Sequence, residues 1–268
     1  MSDPAGDGST GDRQIFAVRY GTRQADREDV YLNFHTYGEP NAPMAMDYYF
    51  WVIRDTDRIT LVDTGFSPAG GANRRRTVLC SVTDALGSLG IHCGDVGRVI
   101  VSHGHYDHIG NLDLFQDAEI VMSAREFDFW TGPMANRAMF AASSEPQEIA
   151  HLKTLPDTGR LTLFADGATV APGIDLIEIG GHTPGMTITA VSTAGGTVVL
   201  ASDAIHYLEE YERDWPFAMV ADLPAMYRGF DVLREMERDG AVLIPGHDPQ
   251  VRTRFPAGDA DGTTARIA

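Results

Sequence analysis

Short apolar runs recur along this chain, most of them of strand length rather than helix length. In the first half they fall at 15–20, 48–54, 58–62, 98–101 and 119–122, and in the second at 174–179, 187–192, 197–201 and 241–244. Val99-Ile100-Val101 is apolar at successive positions, the pattern of a strand buried on both faces. Helical spacing appears in two places. One stretch covers about 74–89 and is stopped by Gly90. The other, 223–238, is better marked: Asp222 stands at its N-cap, Pro224 in its first turn, and Gly240 past its end, with Met226, Phe230 and Leu233 on one face. Strands interspersed with helices predict a mixed α/β class.

Two tails and one inner segment depart from this rhythm. Residues 1–12 and 256–268 are rich in Gly, Asp and Ala without periodicity and are expected to be disordered, leaving 13–255 as a single domain. Between about 124 and 166, Phe127, Phe129, Trp130, Met134, Met139 and Phe140 crowd together and Pro133, Pro146 and Pro156 interrupt. That composition suits a helical insertion walling a substrate pocket, or aromatics packed into a core. The stretches 35–47 and 207–217 are two further candidate walls, and apolar walls suit a small, partly hydrophobic substrate.

The strand ends carry the chemistry. The 98–101 run breaks into Ser102-His103-Gly104-His105-Tyr106-Asp107-His108, three imidazoles and a carboxylate on one loop. Neutral imidazole and carboxylate ligate zinc and similar divalent ions, and a rigid strand fixes where they point. Three more strands end the same way: at Gly181-His182-Thr183-Pro184-Gly185, at Ser202-Asp203, and at Pro245-Gly246-His247-Asp248. An H-x-H-x-D-H spacing followed by three separate ligand-bearing strand ends points to a metal site built by the fold.

In this order the motifs resemble the metallo-β-lactamase superfamily over roughly residues 15–255, including Leu61-Val62-Asp63-Thr64-Gly65 as its early strand and turn. The resemblance implies a four-layer αββα sandwich and two divalent ions, zinc by default. His103, His105 and His182 would hold one ion and Asp107, His108 and His247 the other. Asp203 would bridge them, and Asp63 would orient a ligand by hydrogen bonding. Within the superfamily the chain looks most like the N-acyl homoserine lactonases and 4-pyridoxolactonase, through Ser202-Asp203-Ala204, Trp215-Pro216-Phe217 and Gly246-His247-Asp248. Those lactonases carry Tyr three residues after the bridging Asp, where this chain has His206 followed by Tyr207; either could donate a hydrogen bond to a substrate carbonyl. The implied reaction is opening of a small lactone by a hydroxide shared between the ions, with Asp107 as candidate proton shuttle. A thioesterase, a lactamase or another ester hydrolase on the same centre is the alternative.

Composition narrows the partners. A chain of 268 residues with 43% hydrophobic residues can build one sizeable α/β core. The formal net charge of −17 argues against nucleic acid, whose phosphates demand a basic face. The one basic cluster, Arg74-Arg75-Arg76, reads as a solvated helix face, with an anionic substrate as the other possibility. No apolar run is long enough for a membrane span. Residues 1–12 lack the basic start and apolar stretch of a signal peptide, and Cys80 and Cys93 have no zinc-type spacing, so a reduced, cytoplasmic protein is expected, as monomer or homodimer.

Overall fold

In the computed structural model, which describes residues 13–268 apart from 261, strand β2 (Pro43–Arg54) shows how the layers arise. Its residues Tyr48, Phe50 and Val52 enter one hydrophobic cluster and Tyr49, Trp51 and Ile53 another, because successive side chains leave opposite faces of a strand. A strand buried on both faces must be covered twice. The first sheet has the order β13-β1-β2-β3-β5-β6-β7, with β4 paired to β1; the second has the order β12-β11-β10-β9-β8. The first comprises β1 (Gln14–Asp26), β2, β3 (Ile59–Val62), β4 (Thr77–Val78), β5 (Val96–Val101), β6 (Glu119–Ser123), β7 (Leu161–Phe164) and β13 (Thr264–Arg266). The second comprises β8 (Gly167–Ala171), β9 (Ile174–Glu178), β10 (Thr187–Thr193), β11 (Gly196–Ser202) and β12 (Val242–Pro245).

The inner faces of the two sheets share one core, in which Trp51, Val62, Ile100 and Val121 meet Ile174, Val191, Leu200 and Ile244. Helices close the outer faces. On the first sheet lie α1 (Arg27–Val30), α2 (Pro68–Asn73), α3 (Val82–Ser88), α4 (Tyr106–Ile109), α5 (Ala124–Thr131), α6 (Ala138–Ala141) and α7 (Pro146–Thr154). On the second lie α8 (Leu208–Arg213) and α9 (Leu223–Arg238), while α10 (Gln250–Arg254) follows β12. The result is the expected αββα sandwich. Helix α9 is as expected: the Asp222 side chain accepts from the Ala225 amide at 2.9 Å, and Met226, Phe230 and Leu233 are buried. No helix among the described residues is long and apolar enough to cross a membrane, and both cysteines are free thiols.

Three expectations change. The single helix at 74–89 is instead the turn after α2, strand β4 and helix α3. Arg75 turns the chain with φ 56°, Thr77 and Val78 pair with Thr22 and Gly21 of β1, and the Ser81 hydroxyl starts α3 by accepting from the Asp84 amide. Ladder hydrogen bonds and a cap thus override a weak helical period. The segment 256–268, expected to be disordered, supplies β13, whose Thr264 and Arg266 pair with Val18 and Phe16 and cover the edge of β1. The segment 1–12 lies outside the described residues. Within 124–166, Trp130 is buried and Phe127, Phe129 and Phe140 pack on the core, whereas Met134 and Met139 are exposed. These aromatics mainly hold the insertion to the body of the protein.

Helix α7 docks through Glu148, whose Oε1 accepts from the Ser67 hydroxyl at 2.7 Å while Oε2 is buried without a hydrogen-bond partner among the described residues. Burial, helped by nearby Glu145 and opposed by the Ser67 bond and Arg74, pushes Glu148 from its ordinary 4.5 up to about 7. A carboxyl raised on folding contributes stability below its unfolded value and loses it as pH rises through the folded one. The urea midpoint should therefore carry a falling component between pH 4.5 and 7, and Glu148→Gln should remove it; an unchanged midpoint-against-pH curve in the variant contradicts this assignment.

Candidate metal centre

The ligand-type side chains all sit where strands end. His103, His105, Asp107 and His108 follow β5, His182 lies between β9 and β10, Asp203 follows β11 and His247 follows β12. The body of each strand is buried and fixed, so the loops inherit its position. The Thr187 amide donates to the Ser102 carbonyl at 3.0 Å and ties the two sheets together beside the site.

The seven side chains meet in two groups, each with ligand atoms within 4.8 Å of one another: His103, His105, His182 and Asp203, and Asp107, His108 and His247; Asp203 and His247 form a third such group with His206. Asp203 faces both. Its Oδ2 lies 3.4 Å from His182 Nε2 and 3.7 Å from His103 Nε2. Its Oδ1 lies 3.1 Å from His247 Nε2 and 3.4 Å from His108 Nε2. The Asp107 carboxylate oxygens stand 3.8 Å from His108 Nε2 and from His247 Nε2. His105 turns Nδ1 inward, 3.0 Å from His103 Nε2 and 2.9 Å from His182 Nε2.

Outer contacts aim the rings. The Nδ1 atoms of His182 and His247 each lie 2.8 Å from a main-chain carbonyl, of Met219 and Asp47. A carbonyl only accepts, so Nδ1 carries the proton in both rings and Nε2 presents a lone pair. His108 Nδ1 lies 2.8 Å from Asp63 Oδ2, which also accepts from the Ser102 hydroxyl, and Asp63 Oδ1 accepts from the Ser102 amide. Asp63 and Ser202 both have left-handed backbones (φ 66° and 45°), and their side chains are hydrogen-bonded to each other. Such geometry costs about 1–3 kcal/mol per residue and is held by its surroundings.

The donor set fits divalent cations. Asp203 Oδ1 and His108 Nε2 are buried with no hydrogen-bond partner among the described residues, although several charged or polar groups surround them. Burial, reinforced by neighbouring imidazoles, holds His103 and His105 well below their ordinary value and His182 at about 3, so all three are neutral, as ligands must be. Burial also acts against protonation of His108, but the Asp203, Asp63 and Asp107 carboxylates outweigh it and raise the group. A field that retains a proton there would equally favour a metal cation. His103, His105 and His182 could hold one ion and Asp107, His108 and His247 a second, with one Asp203 oxygen directed to each.

His206 joins this cluster. Its Nε2 lies 3.1 Å from Asp203 Oδ2, its ring stacks on Phe217 with centroids 3.6 Å apart, and Glu210 sits behind Nδ1 at 3.3 Å. Tyr207 points elsewhere. Its hydroxyl donates to the Ala45 carbonyl at 3.0 Å, and it does not line the cavity over the metal ligands, so it is withdrawn as a carbonyl donor. That cavity measures about 200 Å³ and is lined by Asp107, Asp203 and His206 along with Met46, Tyr48, Phe217 and Met219. The stretches 35–47 and 207–217 thus each give one wall residue, while 124–166 gives only Ala142 and Ser143.

Glu126 and Arg23 escaped the sequence reading. Glu126, fully buried, accepts from the Gly104 amide (2.9 Å), the Trp130 indole (2.5 Å) and the Gly185 amide (2.7 Å), tying the β5 loop to the His182 loop. Arg23 lines the cavity together with Arg74 and Arg76, so the basic cluster is not simply the solvated face that was the first of its two expected readings. An Glu three residues into a helix, after the capping Ser123, is the only local signal for Glu126, and it resembles an ordinary capping pattern.

The chain belongs to the metallo-β-lactamase superfamily, whose family model matches residues 47–247. Among curated relatives it is 29% identical over 174 residues to metallo-beta-lactamase domain-containing protein 1 of Xenopus laevis, covering 64% of this chain and 62% of that protein's length. It is 24% identical over 251 residues to an N-acyl homoserine lactonase of Bacillus cereus, covering 88% of this chain and 93% of the relative. A solved quorum-quenching N-acyl homoserine lactone lactonase superposes with a TM-score of 0.75 at 21% identity, over 91% of this chain and 95% of the other; this likeness supports the fold.

Two substitutions test the construction of the centre. A Cβ on Gly246 would stand 2.6 Å from Asp203 Oδ1 and 2.7 Å from the Ser202 carbonyl. Gly246→Ala should displace that carboxylate, weaken zinc binding about 10–100-fold in a competitive chelator titration, and cost about 1–3 kcal/mol; undiminished zinc affinity counts against a bridging Asp203. Glu126→Ala strands three buried N–H donors and should cost about 3–5 kcal/mol in urea unfolding; a loss under 1 kcal/mol, on the same scale of buried hydrogen bonds, would show that the tie between the loops is dispensable.

Proposed function

We propose that this protein is a dinuclear metal-dependent hydrolase that opens a small lactone of the N-acyl homoserine lactone kind. The observation carrying this reading is the Asp203 carboxylate, with one oxygen turned toward each of two ligand groups in the floor of a small cavity. The resemblance to lactonases over most of the chain supports the substrate class. Zinc suits the nitrogen- and oxygen-rich donor set. Divalent ions held by these residues would polarise a substrate carbonyl and bring water toward ionisation near neutral pH.

The side chains supply the rest of the reaction. Hydrolysis adds a water oxygen to the ring carbonyl carbon, breaks the bond from that carbon to the ring oxygen, and delivers a proton to the departing oxygen. His206 Nε2 lines the cavity and has no aligned hydrogen-bond partner among the described residues, so it is placed to donate to the carbonyl oxygen as negative charge develops. Phe217 stacked on its face and Glu210 behind it fix the ring. Asp107 lies in the cavity wall, where its carboxylate can pass a proton to the ring oxygen. Met46, Phe217 and Met219 offer apolar surface and exclude water.

The zinc-loaded protein should release protons from a panel of acyl homoserine lactones and simple γ-lactones, and chelator should abolish the release. Asp107→Asn should lower kcat by about 10²–10⁴, the usual contribution of a proton-transfer group. A metal-loaded protein inert toward every lactone contradicts the lactonase assignment and redirects it to thioesters, lactams or other esters.

A further inference from the structure

The arginines of this chain are mostly neutralised where they are partly buried. Arg13 pairs with Asp55, Arg19 with Asp47, Arg27 with Glu209, Arg74 with Glu145 and Arg98 with Glu119. Four half-buried arginines break the pattern: Arg54 donates to the Leu89 carbonyl and Arg160 to those of Phe115 and Ala118, whereas Arg23 and Arg76 line the metal cavity. Among the described residues neither Arg23 nor Arg76 has a carboxylate within 4.0 Å, in a chain whose net charge is −17.

Arg76 is held in place without being neutralised. Its Nε donates to the Tyr106 hydroxyl at 2.9 Å and one terminal nitrogen donates to the Arg74 carbonyl at 2.9 Å, while its other terminal nitrogen, Nη2, has no partner among the described residues. Tyr106 lies between His105 and Asp107 in sequence, and its hydroxyl is 3.5 Å from that of Tyr48. Tyr48 meets the His247 ring edge-on at 5.0 Å. Arg76 is therefore coupled through two tyrosines to the second ligand group. Arg23 stands on β1 opposite Met46, itself a wall residue, and makes no side-chain hydrogen bond among the described residues. A half-buried guanidinium with a fixed fork and no counter-ion is a receptor for an anion.

We infer that the substrate carries a carboxylate, received by Arg76 and Arg23 on the wall of the cavity, beside the carbonyl that is hydrolysed over the metal ligands. This rests on the dinuclear lactone-hydrolase reading above and departs from it in substrate class, since a simple acyl homoserine lactone is neutral. The Asp107 carboxylate on the same wall favours a singly charged group over a dianion. A volume of about 200 Å³ suits a compact carboxylated lactone rather than a long acyl chain.

The test compares γ-valerolactone with 5-oxotetrahydrofuran-2-carboxylate, the same ring with a carboxylate in place of the methyl group, as substrates of the zinc-loaded protein. The carboxylated lactone should have a kcat/KM at least about tenfold higher, and Arg76→Met should raise its KM about 10–100-fold, the size of a lost charge-assisted hydrogen bond. Arg76→Lys should restore part of the loss. Arg23→Met, which removes no hydrogen bond, should raise the same KM and guards against a folding defect in the Arg76 variants. Equal efficiency on the two lactones, or a preference that survives both Met variants, overturns the inference. Stronger competitive inhibition by inorganic phosphate than by glutarate overturns the carboxylate assignment in favour of a phosphate group. If neither lactone is turned over, calorimetric binding decides the subsite, separately from the lactonase reading, which the wider panel tests. Saturable binding of the carboxylated lactone that Arg76→Met weakens tenfold or more supports it, and absence of binding overturns it.

Discussion

A buried carboxylate surrounded by imidazoles is the constraint on which the rest of this structure depends. Asp203 has five histidine nitrogens within 4 Å, contributed by loops from both sheets. Burial alone would raise its pKa, yet the surrounding imidazoles hold it well below the ordinary carboxylate value. To bring both oxygens into play, the chain leaves β11 through a left-handed Ser202 and passes β12 over the carboxylate at Gly246, where a Cβ has no room. Asp63 takes a second left-handed turn at the end of β3 and receives both Ser102 and His108. Without cations such a cluster stores desolvation cost; with them, the same ligands couple metal affinity to folding.

Stiffness at the centre is supplied by groups with no part in ligation. Main-chain carbonyls of Asp47 and Met219 set the tautomers of His247 and His182, and Glu126 joins two ligand loops with hydrogen bonds from Gly104 and Gly185. These partners come from the second strand, from the loop before α9 and from α5, so the centre is assembled by the tertiary fold rather than by any single segment. Rigid positioning of this kind lowers the reorganisation required when charge develops on a substrate.

How much could be read from the sequence follows the same division. The strands that end in ligands were legible because short, nearly continuous apolar runs mark buried strands and clustered His and Asp mark their ends. The αββα layering came through the family resemblance carried by those motifs. Strands β4, β7, β8 and β13 were not, being short edge strands whose existence depends on a neighbour's open ladder. The stretch 74–89 has enough helical spacing to suggest one helix, but pairing with β1 and the Ser81 cap divide it. At 206–207 the local pattern left two equal candidates. The turn resolves them, because successive side chains leave it in different directions: His206 enters the cavity, and Tyr207 spends its hydroxyl on Ala45.

The arginines show why a global quantity misleads about a local one. A net charge of −17 argues against a polyanion that must cover a broad surface, but it says little about a cavity of about 200 Å³. Field lines in a low-dielectric cleft are set by the few charges that line it. Here Arg23 and Arg76 face inward, separated in sequence by more than fifty residues and brought together by the pairing of β4 with β1. The same misassigned stretch that looked like one helix therefore delivers Arg76 to the cavity. A continuous helix would have carried that side chain on a different path, so the strand at Thr77–Val78 decides the electrostatics of the site as well as the fold.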